Sequence, residues 1–222
     1  MPTALESRAA LAVVSASAAD VAQQILASTS GDPVARRLVL LDNVPDLIGY
    51  YTDGSSALAL DFYQEEREKA GVLLQFAPEA VVTDRTVKIR RGISWASEPL
   101  FDEDDLSASL RLAAVVQPEV ARSYRDTITG NREKDPAAVG WRRVTAGGCK
   151  LCRMLSDRGA VYRESSVNFA AHPNCNCSAQ PVFLGGDVGQ EASVEQYRAS
   201  RRGKTPAQRK ALSDYLDAFY SV

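Results

Sequence analysis

Apolar residues recur at helical intervals through most of the chain. Leu11, Val14, Val21 and Ile25 fall three, seven and four positions apart in an alanine-rich stretch, which predicts an amphipathic helix ending near Ser28-Thr29-Ser30-Gly31. A short helix from about Pro33 to Leu41 is expected next, closed by a turn at Asn43-Val44-Pro45, because proline removes a backbone donor and crowds the preceding turn. Leu47 to Arg67 predicts one further helix or two, with Leu58 and Phe62 on successive turns and Tyr50-Tyr51-Thr52-Asp53-Gly54 as the point of interruption. From Val81 to Trp95 the period shortens. Val87, Ile89, Ile93 and Trp95 alternate imperfectly with charged neighbours, which suits an extended or strand-like stretch.

Leu106, Leu110, Ala113, Val116, Val120 and Tyr124 then mark a long helical stripe. The carboxylates of Asp102-Glu103-Asp104-Asp105 lie where they favour the positive end of that helix's dipole, and Pro118 is expected to bend or split it. Gly130 to Gly140 predicts a polar loop, and Trp141 to Val182 an irregular region with short strands and one short helix. Gly185 to Lys204 suits a linker or mobile arm. Thr205-Pro206-Ala207-Gln208 combines an N-cap, a proline at the first helical position and a capping-box glutamine. Leu212, Tyr215, Leu216 and Phe219 follow on one face, to pack on the chain's own core or in a partner's groove. The expected fold class is α+β, mainly α. It comprises a helical region over 1–135, a small irregular Cys/His module over 136–184, and a linker with a C-terminal amphipathic helix over 185–222.

Composition adds limits. With 45% hydrophobic and 24% charged residues the chain can build a core, and its net charge of −2 gives no global case for nucleic acid. No run of roughly eighteen consecutive apolar residues appears, so no membrane span is expected. At the N-terminus Glu6 and Arg8 interrupt what a secretory leader would need, and the apolar run Ala9–Val14 is short, so synthesis in the host cytoplasm is expected.

The four cysteines all lie between Cys149 and Cys177, and the only histidine, His172, falls among them. Cys149-Lys150-Leu151-Cys152 places two thiols on a tight knuckle, and His172-Pro173-Asn174-Cys175-Asn176-Cys177 supplies more donors about twenty residues on. This pattern predicts one structural zinc ion, held by Cys149, Cys152 and Cys175 with His172 or Cys177 as the fourth ligand. Such an ion contributes on the order of 10 kcal/mol to folding. Disulfides, disfavoured in a reducing compartment, and metal-free packed thiols are the alternatives. A redox C-x2-C needs a βαβ setting that the pattern lacks, and a thiol nucleophile needs a base that only His172 offers. Asp102 to Asp105 is a helix start rather than a carboxylate pair for catalysis, and no phosphate-binding fingerprint is present.

A family resemblance rests on these same residues. Gly140-Trp141-Arg142-Arg143-Val144, Gly148-Cys149-Lys150-Leu151-Cys152-Arg153-Met154-Leu155, Arg158-Gly159-Ala160-Val161-Tyr162, His172 to Cys177 and Pro181-Val182-Phe183 together resemble the signature of phage Mu F-like minor head proteins, most closely the versions of actinobacterial phages. Tyr50 to Arg67 is less specifically similar to the helical region that precedes the motif. The resemblance implies a minor capsid protein that acts in head morphogenesis and associates with the portal protein. It also implies a few copies packaged inside the phage head at the portal vertex, contacts with the major capsid protein, and no enzymatic activity. Metal binding is inferred from the ligand chemistry and not from the resemblance.

Arg198, Arg201, Arg202, Lys204, Arg209 and Lys210 form a basic run. It is either a solvated arm or a contact for packaged DNA or an acidic portal surface, in which case salt should weaken it steeply. Aromatic residues do not interleave with it, so base stacking is not expected. A small zinc-dependent nucleic-acid-binding protein is the alternative function, and a thiol enzyme a more distant one.

Overall fold

Thr3 opens the first helix with a capping box. Its hydroxyl accepts the Glu6 N–H at 3.2 Å while the Glu6 carboxylate accepts the Thr3 N–H at 2.7 Å, heading α1 (Ala4–Ser28). The computed structural model describes residues 2–159, 169, 175, 177–186 and 205–220. Asp32 caps α2 (Pro33–Lys69) in the same manner, accepting the Ala35 N–H at 2.9 Å, with Pro33 at the first helical position. After a connecting stretch come α3 (Thr86–Ala96), a 3₁₀ turn over Glu98–Asp102, and α4 (Asp105–Lys134), whose N-cap Asp104 accepts the Ser107 N–H at 2.9 Å. β1 (Ala138–Val144), α5 (Lys150–Asp157), β2 (Ser178–Phe183) and α6 (Pro206–Tyr220) complete the order. The class is α+β and mainly α, with a helical N-terminal part, a cysteine cluster and a C-terminal helix.

α4 is the central element, packing against α1, α2, α3 and both strands. Leu112, Val116 and Val120 of α4 meet Ala18, Ala22 and Leu26 of α1 and Leu40, Val44 and Ile48 of α2 in one core. A second core joins Phe62 and Tyr63 of α2 and Tyr124 and Ile128 of α4 to Trp141, Ala179 and Phe183 of the strands. The Cys-bearing module is therefore built onto the helices through shared apolar residues. By length and composition α1 is apolar enough to cross a membrane, and its inward face, including Leu11, Ala18 and Ala22, is buried against this bundle.

Several local expectations are overturned. The turn at Asn43-Val44-Pro45 and the break at Tyr50–Gly54 are absent, because α2 runs unbroken through both. Pro45 cannot donate to the carbonyl four residues back, that of Leu41, and Arg90 of α3 donates to that carbonyl instead at 2.9 Å. A neighbouring helix thus satisfies the acceptor that proline orphans. Val87 to Trp95 is helical rather than extended, with Ile89, Ile93 and Ala96 turned inward at helical spacing. Gly92 makes that approach feasible, since a Cβ there would stand 2.9 Å from Cγ1 of Val115 on α4. The expected loop over 130–140 shrinks to a tight turn, because α4 continues to Lys134 and β1 starts at Ala138; α4 also runs through Pro118 without splitting.

The two strands pair antiparallel, with Trp141 opposite Pro181, Arg143 opposite Ala179 and Val144 opposite Ser178. A buried ion pair fastens this sheet to the helices. Arg67 of α2 donates to Oδ2 of Asp135 at 2.8 Å, with side chains 4% and 0% exposed, and the other carboxylate oxygen accepts the Ala137 N–H at 3.0 Å. Arg67 also donates to the Leu74 carbonyl at 2.6 Å, and Tyr63 donates to Asp135 at 3.3 Å. Replacing Asp135 by Ala leaves a buried guanidinium unpaired, and should lower unfolding stability by about 3–5 kcal/mol in urea titrations. A loss below about 1 kcal/mol would show that the pair does not hold the sheet in place.

Candidate metal centre

Three cysteines converge beneath the sheet. The turn after β1 passes through Gly147 and Gly148 into α5, and a Cβ on Gly148 would lie 3.1 Å from the Cβ of Cys152, so glycine permits the close approach. Cys152 sits in the first turn of α5 and is buried. Cys175 and Cys177 stand just before β2, two residues apart, a spacing that puts both on one side of an extended chain. Their Sγ atoms and that of Cys152 all lie within 4.8 Å of one another. Cys152 and Cys175 are 3.9 Å apart.

A tetrahedral ion with Zn–S bonds of roughly 2.3 Å separates its sulfurs by roughly 3.8 Å, so the thiols already stand near ligand spacing. Three soft donors in a buried pocket can hold a metal ion. Cys149, at the N-cap of α5, is exposed and stands outside this trio. His172 lies outside the described residues, as do Arg198, Arg201, Arg202 and Lys204 of the basic run. Arg209 and Lys210 lie on α6, where Lys210 pairs with Asp214 at 2.7 Å. No disulfide joins any of the four cysteines.

Two buried arginines frame the thiols, and the sequence reading assigned neither a role. Arg125 of α4, 2% exposed, donates to the carbonyls of Cys177 at 2.8 Å and Cys175 at 2.5 Å. Arg143 of β1, 3% exposed, places Nη1 3.9 Å from Sγ of Cys175 and 4.0 Å from Sγ of Cys152. Phe169 covers the group. Its ring stacks on Trp141 at 5.4 Å and faces the Arg143 guanidinium at 3.9 Å and that of Arg125 at 4.8 Å. The signal for Arg125 was present in the pattern, since it shares a helix face with Ala121 and Ile128, where a charge is unexpected.

Electrostatics follow from this packing. Hydrogen bonds from Cys152 and Cys177, then the Arg125 charge, hold the Cys175 thiol well below the ordinary cysteine range. The same hydrogen bonding, reinforced by burial, pushes Cys152 far up. Of these two coupled thiols, Cys175 is the one that loses its proton more readily. A divalent cation would ionise the remaining thiols, and the resulting anionic centre suits the guanidinium groups at its edge.

The sequence model of one family, described as VG15 protein, matches residues 3–201. The chain belongs to the VG15 family, a family of viral, phage proteins. The match spans the helical bundle, the strands and the cysteine cluster together, so the thiol site lies inside the family region of this VG15 protein. No curated protein and no solved structure matches the chain.

Arg125 supplies the one direct side-chain tie described between α4 and the Cys175–Cys177 backbone, so its loss should loosen the site selectively. Arg125→Met leaves two buried carbonyls without their donor, at a cost of about 1–3 kcal/mol each. A thiol-reactive dye should then label the buried cysteines faster while helical circular dichroism is retained. Unchanged labelling would mean that other contacts hold the segment.

Proposed function

We propose that this VG15 protein is a minor capsid protein acting in phage head morphogenesis, bound to the portal protein and packaged inside the head at the portal vertex. Membership of a phage protein family over residues 3–201 is the observation that carries this reading, and the resemblance of residues 140–183 to Mu F-like minor head proteins narrows it to the head. Its role is structural and non-catalytic. The buried thiols of Cys152, Cys175 and Cys177 hold one zinc ion, with a fourth donor from Cys149 or His172, and the ion fastens a region whose sheet, among the described residues, has two strands. Contact with the major capsid protein, and with packaged DNA through Arg198, Arg201, Arg202 and Lys204, belongs to the same proposal.

Two measurements test it. Protein purified under reducing conditions should carry about one zinc per chain, lost in Cys152→Ser and Cys177→Ser together with thermal stability, and lost from the wild type on prolonged chelation. Absence of metal in folded wild type overturns the zinc assignment. Mass spectrometry of purified virions should find the chain in particles, and pull-down should recover the portal protein with it. Its presence only in infected-cell lysate, with no portal in the pull-down, overturns the minor-capsid reading whatever the metal result.

A further inference from the structure

Two outward helix faces, neither near the thiols, carry opposite charge. On α3 the residues turned away from the core are Val87, 63% exposed, Arg91 and Trp95, 46% exposed, bordered by Lys88 and Arg90. Lys88 leans to Glu119 of α4 at 2.8 Å and Arg90 to the Leu41 carbonyl of α2, so both border cations are anchored. No ion pair or hydrogen bond reaches Arg91 among the described residues. From Arg85 to Ser97 the chain has no acidic residue.

The outward face of α2 has the complementary character. Asp42, Asp46, Asp53 and Asp61 are exposed along it, with Tyr50 76% exposed among them, and no lysine or arginine occurs between Arg37 and Arg67. None of these four aspartates is ion-paired among the described residues. Both stripes point away from α4, against which the two helices bury their other sides, and no ion pair joins them within one chain among the described residues.

We infer that the basic, aromatic face of α3 in one copy of this chain seats on the acidic face of α2 in a second copy. The occupant is another copy because one molecule supplies both halves of the match, in charge and in exposed aromatic residues of the type that dominate interfaces. Pairing two different surfaces makes the contact heterologous, so it extends into rings or chains rather than stopping at a dimer. The inference is independent of the thiol site.

The test is sedimentation of the full chain at roughly 100 µM protein in roughly 50 mM and roughly 500 mM salt. Association to at least twice the mass of one chain is expected at low salt, reverting at high salt. Val87→Glu/Arg91→Glu and Asp42→Lys/Asp46→Lys, all at exposed positions, should each be monomeric with unchanged circular dichroism. Mixed together they should associate again, because the intact face of each variant meets the intact partner face of the other. If the wild type stays monomeric at low salt, the proposal fails. A monomer that binds heparin through Arg91 would assign the α3 face to a polyanion instead, and also overturns it. A variant that unfolds is replaced by Arg91→Gln and Asp46→Asn, for which at least a tenfold weaker association is expected and an unchanged one is decisive against.

Discussion

The guanidinium of Arg125 is buried in the middle of the molecule, and the thiol site is organised by what that burial demands. Taking a cation out of water costs several kcal/mol even after relaxation, so every nearby group must repay it. Two backbone carbonyls, those of Cys175 and Cys177, accept from it, the ring of Phe169 offers its electron-rich face, and the arginine's charge helps hold the Cys175 thiol below the ordinary cysteine range. These partners all come from the segment leading into β2, whereas Arg125 comes from the central helix. Satisfying the arginine is therefore the same event as docking that segment.

Arg67 plays the corresponding part on the other side of the sheet. Its carboxylate partner Asp135 sits in the turn joining α4 to β1, and its remaining donor reaches the Leu74 carbonyl in the connection after α2. Helix, turn and connecting loop are thus fixed by one planar cation, whose fork of donors suits three-way fastening better than a lysine would. Between the two arginines lies the second apolar core, with Tyr63, Tyr124, Trp141 and Phe183 buried in it. Polar fastening and apolar packing converge on the same strands, which explains why so short a sheet is fully buried along β2.

The helical elements were legible where the periodicity was long and the caps explicit. Thr3 with Glu6, Asp32 with Pro33, and Thr205 with Gln208 mark real helix starts. Of the stripe from Leu106 to Tyr124, Val116, Val120 and Tyr124 are core, whereas Leu106 and Leu110 are exposed and Ala108 and Leu112 are buried in their place. Pro45 misled because its local cost is relieved by Arg90, a residue from another helix that no window of sequence contains. Val87 to Trp95 misled because a residue set spaced by two also contains pairs spaced by four, and Ile89 with Ile93 proved to be the pair that matters. The cysteine cluster was visible as a cluster, but not its membership. The C-x2-C spacing gives Cys149 and Cys152 equal standing, whereas the N-cap position of Cys149 leaves it exposed and the first turn of α5 buries Cys152. Arg143 and Phe169 complete the site through the strand register and the fold around it, and neither has a signature in its immediate neighbours.

A two-stranded sheet is marginal on its own, and among the described residues α5 is the one helix between β1 and β2. Physical compensation has to come from somewhere else, and the thiols stand at the right point for it. Cys152 lies on α5, beyond one end of β1, and Cys175 and Cys177 at the entry to β2, so a link among the three closes the chain between the strands. Hydrogen bonds among thiols are weak, and burial opposes the ionisation of more than one of them. A divalent ion removes that opposition by replacing protons with a shared positive charge, and converts three loosely coupled groups into one cross-link. Beside such an ion the buried guanidinium groups would balance the thiolates that it leaves incompletely neutralised. Arg125 already ties the Cys175–Cys177 backbone to α4, so a bound ion would add a cross-link to a segment that is held in place without it.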